Sequence, residues 1–382
     1  MRGARPRDGR PRRQRRVGPG GTAYGKLSPA PRALPMTTPV PSPSPVDART
    51  PAGNLRRRFV VFAAAALALY VGLAVYSDVS TLRATLAAFP WRVMPLVFGL
   101  TLVNYLGRLL KWLWYLRLVG AGVSWWDGTR VFGVGMSMVM TPGKAGELLK
   151  SYMVRNISGA PMRVTSPIVL AERLTDGVAM LILAGVGLAG FDDPRLRWTA
   201  AALMLAVAIV IGAVQFRPLA AWALGVGARL PVVGRHAASL GAFYESSYLL
   251  LRPANLAVAV AIGVVSWACE GLAFALVLHG VGVAADVHTT LTAVFIFSLS
   301  SVFGALVATP GGLGGTEGSL VALSTRLLGL PAAAATAAAL LIRLATLWFG
   351  VALGIASLAL WPDLLDRGEG EDRGDGAEER PR

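Results

Sequence analysis

Thr141-Pro142-Gly143-Lys144-Ala145-Gly146-Glu147 has a second version at Thr309-Pro310-Gly311-Gly312-Leu313-Gly314-Gly315-Thr316-Glu317. The likeness continues downstream. Gly159-Ala160-Pro161 answers Gly329-Leu330-Pro331, and Glu172-Arg173 answers Ile342-Arg343. From the glutamate onward the two copies keep one register: Glu147 matches Glu317, Pro161 matches Pro331 and Arg173 matches Arg343 at a constant offset. An insertion in the second Gly-rich loop accounts for the slightly smaller offset between Thr141 and Thr309.

Both copies sit in apolar surroundings. The chain has 382 residues, 54% of them hydrophobic and 15% charged. A soluble domain carries about a quarter charged residues, so lipid is the expected solvent. A membrane span needs about 20 apolar residues. Six segments qualify: 59–76, 93–116, 164–190, 198–216, 254–280 and 332–361. Two more, 131–140 and 289–308, run into the Pro-Gly clusters. Each reads as half of a hairpin that enters the membrane and returns, at 147–158 and 317–328. The expectation is an all-α polytopic bundle of about six full spans plus two re-entrant hairpins. The repeat cores are 131–190 and 289–361.

Three crossings separate the loops, and an odd number inverts the second copy. The positive-inside bias agrees. Arg56-Arg57-Arg58 place the N-terminus in the cytoplasm. Arg117 and Arg130, and later Arg217, Arg229, Arg235 and Arg252, mark further cytoplasmic loops. The first hairpin then opens from inside and the second from outside, with the C-terminus inside. Segment 217–253 reads as an interfacial helix pair anchored by Trp222 and Tyr244.

Non-helical backbone survives in hydrocarbon only where it is buried in protein or lines a polar cavity. Proline ends the incoming helix, glycine permits the turn, and the next helix offers amide N–H groups and a positive dipole end, which suit phosphate. The plain alternative is that Pro-Gly marks ordinary loops at the membrane surface. Arg173 lies about nine residues into its span, roughly 14 Å deep, and Arg343 about eleven into its own. An intramembrane charge costs about 2.5–3.5 kcal/mol on insertion scales, so it needs a partner or a role. Glu147 and Glu317 lie beside the loops; Glu172, Asp176 and Glu270 are further intramembrane acids. Either the arginines contact an anionic head group, or they pair across the repeats, Arg173 with Glu317 or Arg343 with Glu147. Arg108 and Lys111 read chiefly as cations snorkelling to the interface, with attraction of a head group as the other role.

The net charge of +16 is concentrated at one end. Residues 1–58 hold 14 Arg or Lys against Asp8 and Asp47, leaving +4 for the rest. This Pro, Gly, Ser and Arg-rich stretch reads as a disordered cytoplasmic tail near anionic lipid rather than a nucleic-acid binder. It has no apolar stretch before Phe59, so it is not a typical signal peptide, and Met36 is a second possible start. Residues 362–382 read as another disordered tail. Cys269 is the sole cysteine, which excludes an intramolecular disulfide; His236, His279 and His288 lack metal-ligand spacing. Gly185, Gly187 and Gly190 spell GxGxxG within a span and without a preceding strand, so a dinucleotide fold is rejected. No catalytic motif, metal or cofactor is expected.

The motifs at 141–152 and 171–176, with 309–318 and 340–344, resemble the lysylphosphatidylglycerol synthase transmembrane, or flippase-like, family. The resemblance covers about 59–361. Members are similar to the membrane half of the multiple peptide resistance factor, thought to move aminoacylated phosphatidylglycerol between leaflets. The soluble synthase domain of that factor has no counterpart in the short tail after the last span, so synthase activity is not carried over. The resemblance implies head-group contacts at Arg173, Arg343, Glu147, Glu317, Glu172, Asp176, Thr141, Gly143, Lys144, Gly146, Thr309, Gly311, Gly312 and Gly314. The expected function is translocation of an anionic or aminoacylated phospholipid, or of a polyprenyl-phosphate lipid, with a homo-oligomer or a partner synthase as companions. A lipid-modifying transferase using Glu147 or Glu317 as base, and a scaffold for an envelope enzyme, are the rivals.

Overall fold

The computed structural model describes residues 51–140, 146–188, 194–218, 222, 237–307 and 309–365, and from 61 onward the side chains of most of them. Among the described residues every regular element is helical. Helix α1 (Pro51–Tyr76) bends into α2 (Val79–Ala88) at Asp78, whose carboxylate accepts the Ser80 amide. A 3-10 turn (Trp91–Val93) leads into α3 (Met94–Leu118), followed by α4 (Trp125–Met136) and a 3-10 turn at Ser137–Met140. Next come α5 (Leu148–Ser158), α6 (Met162–Leu188), α7 (Pro194–Gln215) and α8 (Ala237–Leu250). The second half holds α9 (Pro253–Gly280), α10 (Val287–Val307), a 3-10 turn at Pro310–Gly312, α11 (Gly315–Leu328) and α12 (Ala332–Arg343). A π-helical segment (Leu344–Trp348) joins α12 to α13 (Phe349–Leu360), and a last 3-10 turn occupies Pro362–Leu365.

Among the described residues four helical stretches are long and apolar enough to cross a membrane: Trp91–Leu118, Pro253–Gly280, Val287–Val307 and Ala332–Leu360. The pair Val61–Tyr76 and Val79–Ala88, bent by 98°, makes a fifth if counted as one span. The expected span at 164–190 is the 27-residue α6, long enough to cross but carrying Arg163, Glu172, Arg173 and Asp176. The expected span at 198–216 is α7, of 22 residues. The half-hairpin expected at 289–308 is α10, whose 21 residues are long and apolar enough to cross a membrane. Of the interfacial pair expected at 217–253, α8 is its described helix, and residues 219–221 and 223–236 lie outside the described residues. The basic N-terminal stretch up to residue 50 and residues 366–382 also lie outside them.

The repeat is longer than its motifs. Helix α3 precedes α4 as α9 precedes α10, and the two connecting links are equal in length. Each second helix is capped by its preceding residue: Ser124 Oγ accepts the Asp127 amide and Asp286 Oδ1 the Thr289 amide. The Thr289 amide also holds the Asp286 carboxyl below the usual carboxylate range. Downstream, α5 and α11 both end at a left-handed glycine, Gly159 (φ 73°) and Gly329 (φ 65°), with Pro161 and Pro331 close behind.

The two copies interlock. Helix α6 of the first packs along α10 of the second, and α13 of the second packs along α4 of the first. The two 3-10 turns, Ser137–Met140 and Pro310–Gly312, touch each other. Helices α3 and α9 form the most extensive helix pair. Gly354 permits the α13 contact, because a methyl group there would overlap the backbone nitrogen of Ser137. Gly354→Ala is therefore expected to cost about 1–3 kcal/mol, from forced displacement of packed backbone. The check is a lowered unfolding temperature of the purified protein in detergent; an unchanged temperature would show that the turn yields freely.

Candidate functional site

Each repeat folds its charged motif into an antiparallel helix hairpin. In such a hairpin, residues equidistant from the turn lie opposite one another. Ala160 is the midpoint of the chain between Glu147 and Arg173, and Leu330 is the midpoint between Glu317 and Arg343. The structure pairs them accordingly. Arg173 Nε donates to Glu147 Oε2 at 2.9 Å, and Arg343 Nε donates to Glu317 Oε1 at 2.7 Å. The pairing across repeats expected from sequence, Arg173 with Glu317 or Arg343 with Glu147, is thus corrected to pairing within each repeat. The equal arms were the signal that would have found it.

One step nearer the first turn, Lys150 Nζ donates to Glu172 Oε2 at 2.7 Å. The matching positions in the second repeat are Leu320 and Ile342, both fully buried. Lys111 of α3 reaches across to Asp176 and to Thr175 Oγ1 and is 1% exposed. The snorkelling role read for Lys111 is therefore corrected. In the interior a paired ammonium is favoured over one that must travel to water, because its carboxylate partner is fixed on α6.

The second Gly-rich loop is held by the same pair. Gly311, Gly312 and Gly314 have φ of 62°, 70° and 83°, a region that side chains disfavour. Arg343 Nη2 donates to the Gly311 carbonyl at 2.5 Å, and the Gly314 amide donates to Glu317 Oε2 at 2.8 Å. Thr309 Oγ1 donates to the Leu313 carbonyl at 2.8 Å. The Gly314 amide, expected to be open to an anion, thus already serves a carboxylate of its own helix. In the first loop Thr141, Gly143 and Lys144 lie outside the described residues; Gly146 is half-buried beside Glu147.

Between the repeats lies a cavity of about 150 Å³. Its charged walls are Arg173, Glu147 and Lys150 from the first hairpin, Arg343 from the second, Arg108 from α3 and Glu270 from α9. Gly311, Gly312 and Thr316 contribute the second loop, and Tyr105, Trp267, Phe132 and Phe297 supply aromatic walls. The Arg173 side chain is 26% exposed, whereas Glu317, behind Arg343, is fully buried. Four cations against two acids give the walls a positive excess, and a low-dielectric site magnifies it. Sequence reasoning missed Lys150 and Tyr105, left Glu270 as a further intramembrane acid, and gave Arg108 head-group attraction only as its second role. Arg108 and Glu270 occupy equivalent places: each stands equally far along the chain from the start of the next helix, at Trp125 and Val287 respectively. Tyr105 and Trp267 match in the same way, one helical turn earlier. Among the described residues no group of His, Cys, Asp or Glu is arranged to hold a metal.

Comparison with known proteins gives these features a family. The description "Lysylphosphatidylglycerol synthase TM region" matches residues 61–354. The chain belongs to this family. It is also 26% identical over 250 residues to a UPF0104 membrane protein of Methanothermobacter thermautotrophicus, covering 59% of this chain and 72% of the relative. The family match takes in both Gly-rich loops, both ion-paired hairpins and the α3–α9 pair. The protein is therefore a multi-pass membrane protein, and the family name points to a setting of lipid chemistry.

Removing one member of a buried pair leaves a bare charge, at a cost of about 3–5 kcal/mol. Arg343→Ala should therefore destabilise the fold strongly, and more than Arg173→Ala, since the first pair is partly open to water. Arg343→Met combined with Glu317→Leu should recover most of the loss. Thermal unfolding of the three variants in detergent checks the order; a double variant as weak as Arg343→Ala would refute the pairing argument.

Proposed function

We propose that the protein is a lipid translocase of the cell membrane, one that moves an anionic or aminoacylated phospholipid, or a polyprenyl-phosphate lipid, between leaflets. The supporting observation is that Arg173 and Arg343, equivalent residues of two repeats, line one cavity together with Arg108 and Lys150. A phosphate there would meet cations from both halves of the fold. Guanidinium groups suit it because they present several donors in a planar fork. The acyl chains stay in the bilayer while the head group crosses through protein.

In this reading the chain makes six crossings with two hairpins that enter from opposite faces, and both termini lie in the cytoplasm. Contact between the two 3-10 turns supports it, since turns entering from opposite faces meet only near the centre of the bilayer. Rocking one repeat against the other exposes the cavity to each side in turn. The internal Arg–Glu pairs keep the arginines charged and positioned when no lipid is bound. The protein is read as a transporter rather than an enzyme, with membrane lipid as its ligand, no nucleic-acid partner, and self-association or a separate synthase as possible company. A transferase using Glu147 as base is less well supported, because Arg173 already engages that carboxylate.

The test is leaflet transfer of labelled phosphatidylglycerol in proteoliposomes. Arg173→Gln should cut transfer at least tenfold while the protein remains folded, because Arg173 is more exposed to the cavity than its counterpart Arg343. Transfer at the parent rate would remove Arg173 from the mechanism. Covalent modification of the lipid in detergent micelles, where leaflets no longer exist, would favour the transferase instead.

A further inference from the structure

Glu270 is 3% exposed and lines the cavity, yet among the described residues it makes no hydrogen bond or ion pair. Every other acid in the cavity wall or behind it is matched: Glu147 by Arg173, Glu172 by Lys150, Asp176 by Lys111 and Glu317 by Arg343. Arg108, the residue equivalent to Glu270 in the first repeat, likewise has no ion-pair partner among the described residues and lies 6.0 Å over the Trp267 ring. The symmetry of the fold has placed one unmatched cation and one unmatched acid on facing helices of the α3–α9 pair.

The surroundings of Glu270 are defined on every side. Tyr105 and Arg108 face it from α3, and Asp176, already held by Lys111, from α6. Arg343 acts on it from α12, and Cys269 is its neighbour on α9. The sole titratable residue of α10 is His288, in its first turn. Glu245 of α8 and Arg92 before α3 are exposed. The cations that balance Glu270 are thus Arg108 and Arg343, both of which line the cavity.

We propose that Glu270 is a proton-binding site coupled to the head-group site: an anionic head group that takes Arg108 and Arg343 leaves Glu270 without counter-charge, and the carboxylate then takes up one proton from water. This rests on the head-group reading of the cavity and adds a source of energy to it. Two like charges in one dry site disfavour each other, so anion and bare carboxylate do not share the cavity. Each lipid bound brings a proton, and release of the proton on the other side restores the Glu270 carboxylate, which competes with the lipid for the field of Arg108 and Arg343 and expels it. The proton moves between water and one Glu270 carboxylate oxygen; no bond of the lipid is broken.

The experiment measures binding of short-chain phosphatidylglycerol to the full-length protein in detergent as pH is varied between about 5 and 9. Its phosphodiester stays anionic throughout, so any slope belongs to the protein. One linked proton weakens binding as pH rises, by up to about tenfold per pH unit. The expected result is such a slope for the parent protein, none for Glu270→Gln, and a retained slope for Glu270→Asp. Flat binding by the parent protein, or a slope that survives in Glu270→Gln, overturns the proton site while leaving the head-group site standing. No binding at any pH overturns both. Should Glu270→Gln fail to fold, infrared difference spectra decide. A protonated-carboxyl band must appear on lipid addition to the parent protein and shift in Glu270→Asp, and its absence overturns the proposal.

Discussion

A charge in hydrocarbon needs a partner, and this fold is arranged around that requirement. Its interior holds Lys111, Lys150, Arg173 and Arg343, and each is matched to a carboxylate on a neighbouring helix. The matching is geometric. Glutamate and arginine stand equally far from Ala160 in one hairpin and from Leu330 in the other, so the turn brings the arginine of the second helix to the glutamate at the foot of the first. Four charges that would each oppose insertion therefore become cross-links: Lys150 and Arg173 fix α5 on α6, Arg343 fixes α11 on α12, and Lys111 ties α3 to α6. The Gly-rich backbone of the second loop is tied in through Arg343 and Glu317, so its irregular amides and carbonyls are served inside the protein rather than left in lipid.

The repeats are alike in plan but unlike in charge. The first carries a second ion pair, Lys150 with Glu172, where the second has Leu320 and Ile342. At the paired positions of α3 and α9 the first carries Arg108 and the second Glu270. A strictly symmetric cavity would treat its two faces alike. These substitutions give it a direction, since the positive charge is weighted toward the first repeat and the one unmatched acid comes from the second. The aromatic pair Tyr105 and Trp267 preserves size while changing polarity, and Tyr105 donates its hydroxyl proton to the Thr346 carbonyl in the π-helical segment just past Arg343. That segment widens the helix where it passes the cavity, a common accompaniment of functional sites.

Much of this was legible from the residues. Constant spacing, Pro-Gly punctuation and the low charge content gave a membrane bundle with two related halves. The Gly159 and Gly329 helix ends followed from glycine chemistry. Partner choice was not read correctly, because charges were sorted by depth in the membrane rather than by distance from each hairpin turn. Lys111 illustrates the difficulty. On sequence alone a cation near a helix end is free to reach water, and only the packing of α3 against α6 shows Asp176 waiting for it. The equivalence of α3 with α9 was invisible because the two share almost no residues; it rests on equal links and equal placement.

The exchange of long helices between the halves bears on how the chain is made. Helix α4 finds its neighbour α13 only when nearly the whole polypeptide has left the ribosome, and α6 must wait for α10. Neither half covers its long helices by itself, although each is one copy of a duplicated plan. During synthesis the early charges find their partners within the first copy, while the apolar faces of α4 and α6 that the second copy covers wait for α13 and α10.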